Sequence, residues 1–247
     1  MMLHNPIMVK LSNNHLEKKG WENASIKHPN GVTPWFTYGA LNFLADIITP
    51  DLSVFEYGSG SSTIFFNCNV KKVVSVEHDA RWAEKLLSLN NNCDIRIRQK
   101  DYINGVRHED LMRRYKAQDF IEPRGNPDHD VLHGLVSQGF EGYAAELLTE
   151  PHQSFDIIVV DGMARQLCGF VAADVIKDDG FIILDNSDRW QYNSLQRYLV
   201  NKGFGRIDFW GAGPKNTVDW CTSFFSRKFL LNNLHVERPA GTGDLGW

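Results

Sequence analysis

The chain has 247 residues, 43% of them apolar, enough for one domain with a full core and short appendages. Its 26 Lys and Arg against 30 Asp and Glu give a formal net charge of −4 with no long basic run, which argues against a nucleic-acid partner. No window approaches the roughly eighteen consecutive apolar residues of a membrane span, so no membrane partner is expected.

Residues 1–32 are polar and mixed, and they read as an N-terminal arm without the apolar stretch of a secretory signal. Thr33-Pro34 resembles a cap followed by proline in a first helical turn, which predicts a helix from Trp35 to about Ile48. Beyond Leu52, short apolar runs alternate with stretches at helical spacing. The runs are SVFEY (53–57), VVSVE (73–77), FDIIVVD (155–161) and FIILD (181–185), with a weaker DIRIR (94–98) expected nearer an edge. The helical stretches include 80–90 and 164–176. Strands that are apolar on both faces and alternate with helices predict a parallel sheet covered on both sides.

Between Asp101 and Phe155 lie 53 residues, more than a crossover needs. Residues 143–148 are expected as the crossover helix, and about 103–140 as an insertion, either surface elaboration or a substrate lid. RIDFW (206–210) and WCTSFF (220–225) are separated by too few residues for a helix, so these two strands must run antiparallel. The predicted fold is α/β and doubly wound, Rossmann-like. Its seven-stranded sheet is mostly parallel with an antiparallel last strand and helices on both faces. The domain spans 33–230 and a tail follows at 231–247. Cys68, Cys93, Cys168 and Cys221 form no CxxC pair and read as reduced thiols of a cytoplasmic protein. A homo-oligomer is left open.

The first strand runs into VFEYGSGSST, a glycine turn with a hydroxyl cluster that includes Ser62. Gly58 and Gly60 permit a sharp turn and close approach of a ligand, and the following helix offers free N–H groups and a positive dipole end. The next strand ends in Glu77, 17 residues after Gly60, where doubly wound sheets place an acid on ribose hydroxyls. His78 lies beside it and is expected near ribose or adenine. A dinucleotide fold wants a third glycine where this chain has Thr63. Glu56, an acid inside an apolar strand, needs a partner, and a cationic ligand group would supply one.

Glu56-x-Gly58-x-Gly60 followed by Glu77 resembles the first two motifs of class I S-adenosylmethionine-dependent methyltransferases. The resemblance covers roughly 34–227. It implies S-adenosylmethionine as cofactor, with its methionine part on the glycine turn and its ribose on Glu77. It also implies a sheet that is parallel except for its last strand. Asp101 falls where that family often contacts the adenine amino group.

Asp161 ends one strand, and Asp185 and Asn186 end the next, so all three open onto the ligand-binding edge of the sheet. Three such oxygens suit magnesium, although strand-end acids also cap helices. The same pattern resembles catechol O-methyltransferase-like enzymes, in which Asp, Asp and Asn hold magnesium. This chain departs from that subgroup by its insertion and by having no identifiable lysine base. Arg165 and Arg189 each follow an acid by four residues and could hold an anionic substrate group.

The expected function is therefore methyl transfer to a small molecule, as an O-methyltransferase with magnesium assistance an option, and Asp161 and Arg165 as the catalytic candidates. An NAD(P)-dependent oxidoreductase and a non-catalytic nucleotide-binding protein of the same fold are the alternatives.

Overall fold

The computed structural model describes residues 7–10 (backbone), 32–89, 92–102, 111, 114, 139–214 and 219–229. Most of the expected insertion and the C-terminal tail lie outside these residues. The apolar runs pair into one sheet. Its strands are β1 (Ile7–Lys10), β2 (Ser53–Tyr57), β3 (Lys72–Glu77), β4 (Asp94–Ile97), β5 (Ile157–Val160), β6 (Phe181–Asp185), β7 (Gly205–Gly211) and β8 (Trp220–Ser226). Among the described residues the order is β1-β7-β8-β6-β5-β2-β3-β4.

All neighbours are parallel except β8, which runs antiparallel to both β6 and β7. The short link between β7 and β8 forces a hairpin, and β8 then fits between β7 and β6. The expected seven strands are all found, and DIRIR is the edge strand. The arm contributes an eighth, because the short run IMVK pairs in parallel with β7.

Among the described residues, helices link these strands. These are α1 (Tyr38–Ile47), α2 (Ser61–Asn69), α3 (Ala80–Leu89), α4 (Glu141–Ala145, continued by a 3-10 turn over Glu146–Thr149), α5 (Arg165–Val175) and α6 (Asn193–Asn201). Helix α1 begins three residues later than Trp35. Thr37, not Thr33, occupies its cap position, and its extended backbone is anchored to the far side of the sheet: its N–H donates to Thr222 Oγ1 (3.2 Å) and its hydroxyl to the Phe209 carbonyl (3.0 Å). Trp35 is left in the bend before the helix.

The two sheet faces carry separate cores, as the period of two along each strand requires. Phe55, Tyr57, Ile158, Val160, Ile182 and Leu184 pack with α4, α5 and α6. Val54, Ile157, Val159 and Ile183 pack on the opposite face with Phe36, Leu41 and Leu44 around α1 and Phe65 and Phe66 of α2. No helix among the described residues is long and apolar enough to cross a membrane.

Candidate functional site

At the carboxyl edge of β2, β3 and β5 the chain leaves a cavity of about 440 Å³. The turn 58–60, the start of α2, Glu77-His78-Asp79, Trp82, Asp161-Gly162-Met163, Arg165 and Trp35 line it.

The two glycines of the turn do different work. Gly58 has φ +92°, and a Cβ on it would stand 2.7 Å from the Gly162 Cα and 2.8 Å from the Gly162 nitrogen. It therefore lets the backbones that leave the parallel neighbours β2 and β5 approach closely. Gly60 is extended (φ −174°) and caps α2, and a Cβ there would meet nothing within 4 Å. That open space, beside a helix start whose first N–H groups have no partner within the helix, is a cradle that a side chain would fill. Where a dinucleotide fold has its third glycine, the Thr63 hydroxyl accepts the Gly60 N–H at 2.9 Å and fixes the turn. Ser62 is buried in the first turn of α2 and lines the cavity.

Glu77 stands opposite this turn and organises it. One carboxylate oxygen accepts the Ser59 N–H and hydroxyl, both at 2.9 Å. The other accepts the N–H groups of His78 (2.8 Å) and Asp79 (2.9 Å) and lies 2.7 Å from His78 Nδ1. Burial alone would raise its pKa, but the hydrogen bonds from His78, Asp79 and Ser59 outweigh burial and hold it below the usual carboxylate range.

Glu56 is not among the residues that line the cavity. It points to the α1 and α2 face, fully buried, where the in-register Ser75 donates to it at 2.7 Å. Burial pushes its pKa up to about 7 against the pull of the Ser75, Ser62 and Thr63 hydroxyls. Asp101 is likewise absent from the cavity wall. It is exposed at φ +61°, its N–H bonded to the Gly139 carbonyl at 2.6 Å.

On the β5 side of the cavity, Asp161 lines the wall and its Oδ1 lies 2.8 Å from Arg165, whose side chain is almost fully buried. Asp185 turns away from the cavity, because Trp220 Nε1 (3.0 Å) and Thr222 Oγ1 (2.6 Å), both on β8, donate to its Oδ1. Burial first, and then repulsion from Asp161, raise its pKa to about 7. Asn186, at φ +52°, accepts from Arg165 at 3.2 Å. The expected magnesium set is thus not assembled: one oxygen of Asp185 is held by two donors of β8, and a guanidinium stands among the remaining oxygens. Among the described residues, no three His, Cys, Asp or Glu side chains form a group that could hold a metal ion.

Trp35 and Trp82 carried no motif, yet both form the cavity wall, and Trp82 Nε1 donates to the Ser59 carbonyl at 2.8 Å. Trp82 sits on α3 at the position that faces back to the turn. The signal was its distance of five residues from Glu77.

No protein-family model matches the sequence, and no curated protein matches it. Among solved structures, the chain is similar to an rRNA methylase from Streptococcus thermophilus (10% identity, 76% of this chain and 95% of that one, TM-score 0.47). It is similar to a ribosomal protein L11 methylase from Lactobacillus delbrueckii subsp. bulgaricus (16%, 77% and 78%, TM-score 0.45). It is also similar to an O-methyltransferase from Bacillus cereus in complex with SAH (15%, 70% and 74%, TM-score 0.43). At these identities and scores none of them assigns an activity to this chain.

Proposed function

We propose that the chain is an S-adenosylmethionine-dependent methyltransferase acting on the hydroxyl of a small molecule. The observation that carries the reading is the cradle at Gly60, facing Glu77 across one cavity, in a sheet whose antiparallel β8 lies between β7 and β6. A dinucleotide fold would continue in parallel at that place. The cavity, about 440 Å³, is within the roughly 300–1,000 Å³ of ligand sites.

The α2 start and the Gly60 backbone would hold the methionine part of the cofactor, Glu77 its ribose, and the Trp82 and His78 rings would flank the nucleoside. The cofactor supplies a sulfonium methyl group. Glu77 already has five neighbours for about four lone-pair sites, so a ribose diol takes the places of the two side-chain partners, Ser59 Oγ and His78 Nδ1, which can rotate away. The backbone N–H groups keep the carboxylate oriented meanwhile. Asp161, held by Arg165, is the polar group on the acceptor wall that can take a hydroxyl proton, while Trp35 and Met163 limit the access of water. Most of the rate gain then comes from holding the acceptor in line. The four thiols, all free, fit a cytoplasmic setting.

The test is release of S-adenosylhomocysteine from S-adenosylmethionine, followed over a panel of small hydroxylated acceptors. Absence of release with every acceptor, together with no cofactor binding, would refute the reading. In parallel, Glu77→Gln is expected to weaken S-adenosylhomocysteine binding by about 2 kcal/mol, or roughly thirtyfold in Kd. Calorimetry giving the same Kd for variant and wild type would remove Glu77 from the ribose site.

A further inference from the structure

Arg165 is the first residue of α5, and its side chain points back between the ends of β5 and β6. A guanidinium has five N–H donors. Nε donates to the Gly162 carbonyl at 3.1 Å. One terminal nitrogen donates to the Asp185 carbonyl (2.8 Å) and to Asn186 Oδ1 (3.2 Å). The other donates to the Asp161 carbonyl (3.0 Å) and lies 2.8 Å from Asp161 Oδ1. Five donors thus meet five oxygens, and no donor remains for a substrate.

The five oxygens lie at the ends of β5 and β6, beside the acids expected to hold magnesium, yet they form a poor divalent site. Only one of them belongs to a carboxylate. Three are main-chain carbonyls that diverge around a planar group, and the second acid, Asp185, is committed to Trp220 and Thr222. A hard dication draws its oxygens to about 2.0–2.6 Å and favours several carboxylates. One positive charge against one carboxylate is already balanced, and the fork of an arginine matches spread acceptors better than a point charge does. Asn186, which supplies one of the oxygens, has a left-handed backbone at φ +52°.

We infer that Arg165 is a built-in cation that takes the place of a divalent metal: it fills an oxygen-lined socket, fixes Asp161 on the acceptor wall as a positioning residue, and makes the site metal-independent. The functional consequence rests on the methyl-transfer reading, but the socket itself does not. The carboxylate that faces the acceptor is held by protein alone, so turnover does not respond to a chelator. Arg165 therefore positions Asp161 and does not donate to substrate.

The experiment compares thermal unfolding of wild type, Arg165→Ala and Arg165→Lys in guanidinium chloride, magnesium chloride or sodium chloride, each at about 20 mM, far below denaturing strength. Emptying the socket should lower the Tm by about 10 °C. Guanidinium should then return roughly half of that loss to Arg165→Ala by binding the vacated oxygens, with no gain for wild type. Magnesium and sodium should return nothing. Arg165→Lys brings a charge but three donors for five oxygens, so its Tm should fall between the other two.

Rescue of Arg165→Ala by magnesium, or no rescue by guanidinium in a folded variant, would overturn the proposal. If Arg165→Ala does not fold, a lysine variant as stable as wild type would overturn it instead. Electron paramagnetic resonance of wild type titrated with manganese(II) provides a check that needs no arginine variant. Bound manganese that disappears in Asp161→Asn would show a metal site where the guanidinium is placed. None of these readouts needs the cofactor. A protein that passes them and fails to bind S-adenosylhomocysteine refutes the methyl-transfer reading and leaves the socket standing.

Discussion

Gly58→Ala is expected to destabilise the fold by about 2–6 kcal/mol, while Gly60→Val leaves the fold nearly intact and weakens cofactor binding more than roughly tenfold. At Gly58 two costs add. A non-glycine residue at φ +92° is strained by about 1–3 kcal/mol, and its Cβ would stand 2.7 Å from the Gly162 Cα. That contact is backbone against backbone, so no side chain can swing away, and overpacking costs about 1–3 kcal/mol more. At Gly60 the backbone is extended, and a Cβ enters open space. Valine is a poorer cap than glycine, which costs about 1 kcal/mol at most. Its branches occupy the cradle, however, so affinity for S-adenosylhomocysteine should fall by more than roughly tenfold, over about 1.4 kcal/mol. Urea unfolding and calorimetry on the two variants separate the roles. A Gly58→Ala protein as stable as wild type would show that the close approach of Gly58 and Gly162 tolerates a side chain.

Glu56→Gln is expected to stabilise the protein at pH 8 by about 3 kcal/mol and to change little at pH 4.5. The carboxyl group is fully buried and titrates near pH 7 in the fold, against 4.5 as an ordinary value. Between those two values the folded chain keeps a proton that the unfolded chain gives up. The stability contributed by this group is therefore complete below about pH 4.5, and it is lost as pH rises to about 7. Glutamine copies the shape of the protonated acid and has no such loss. Ser75 and Thr63 remain within reach of the amide, and Asp185, which also titrates near 7, is common to both proteins and cancels. Denaturation curves at the two pH values give the difference directly. An equal effect at both would mean that Glu56 is ionised throughout.

The strands of the sheet centre were legible because they are apolar on both faces, and VFEY, VVSVE, IIVV and FIIL can hardly be anything else when helical stretches separate them. The hairpin at the end was legible from chain length alone, since no crossover fits between 210 and 220. The start of α1 was misplaced because Thr33-Pro34 imitates a cap, whereas the true cap position is fixed by Thr222 and the Phe209 carbonyl, 185 and 172 residues away. Strand β1 was missed for a similar reason: four residues in a polar arm become a strand only because the edge of β7 accepts them. Residue types at the strand ends were read well, but their directions were not. Glu56 and Asp185 are both acids near the ligand edge. The alternation along β2 turns the first toward α2, and two donors on β8 hold the second, so neither lines the cavity. The spacing of four that pairs Asp161 with Arg165 was visible, whereas the saturation of all five guanidinium donors depends on carbonyls that no residue type reveals.

The central claim is that the Gly60 cradle and Glu77 together hold the nucleoside and methionine parts of S-adenosylmethionine. Calorimetric titration of the wild-type protein with S-adenosylhomocysteine, and separately with NAD⁺, tests it most directly. One equivalent of S-adenosylhomocysteine should bind, NAD⁺ should give no heat of binding, and Gly60→Val should bind more than roughly tenfold more weakly while melting close to wild type. Binding of NAD⁺ with none of S-adenosylhomocysteine, or full affinity in Gly60→Val, would contradict the claim.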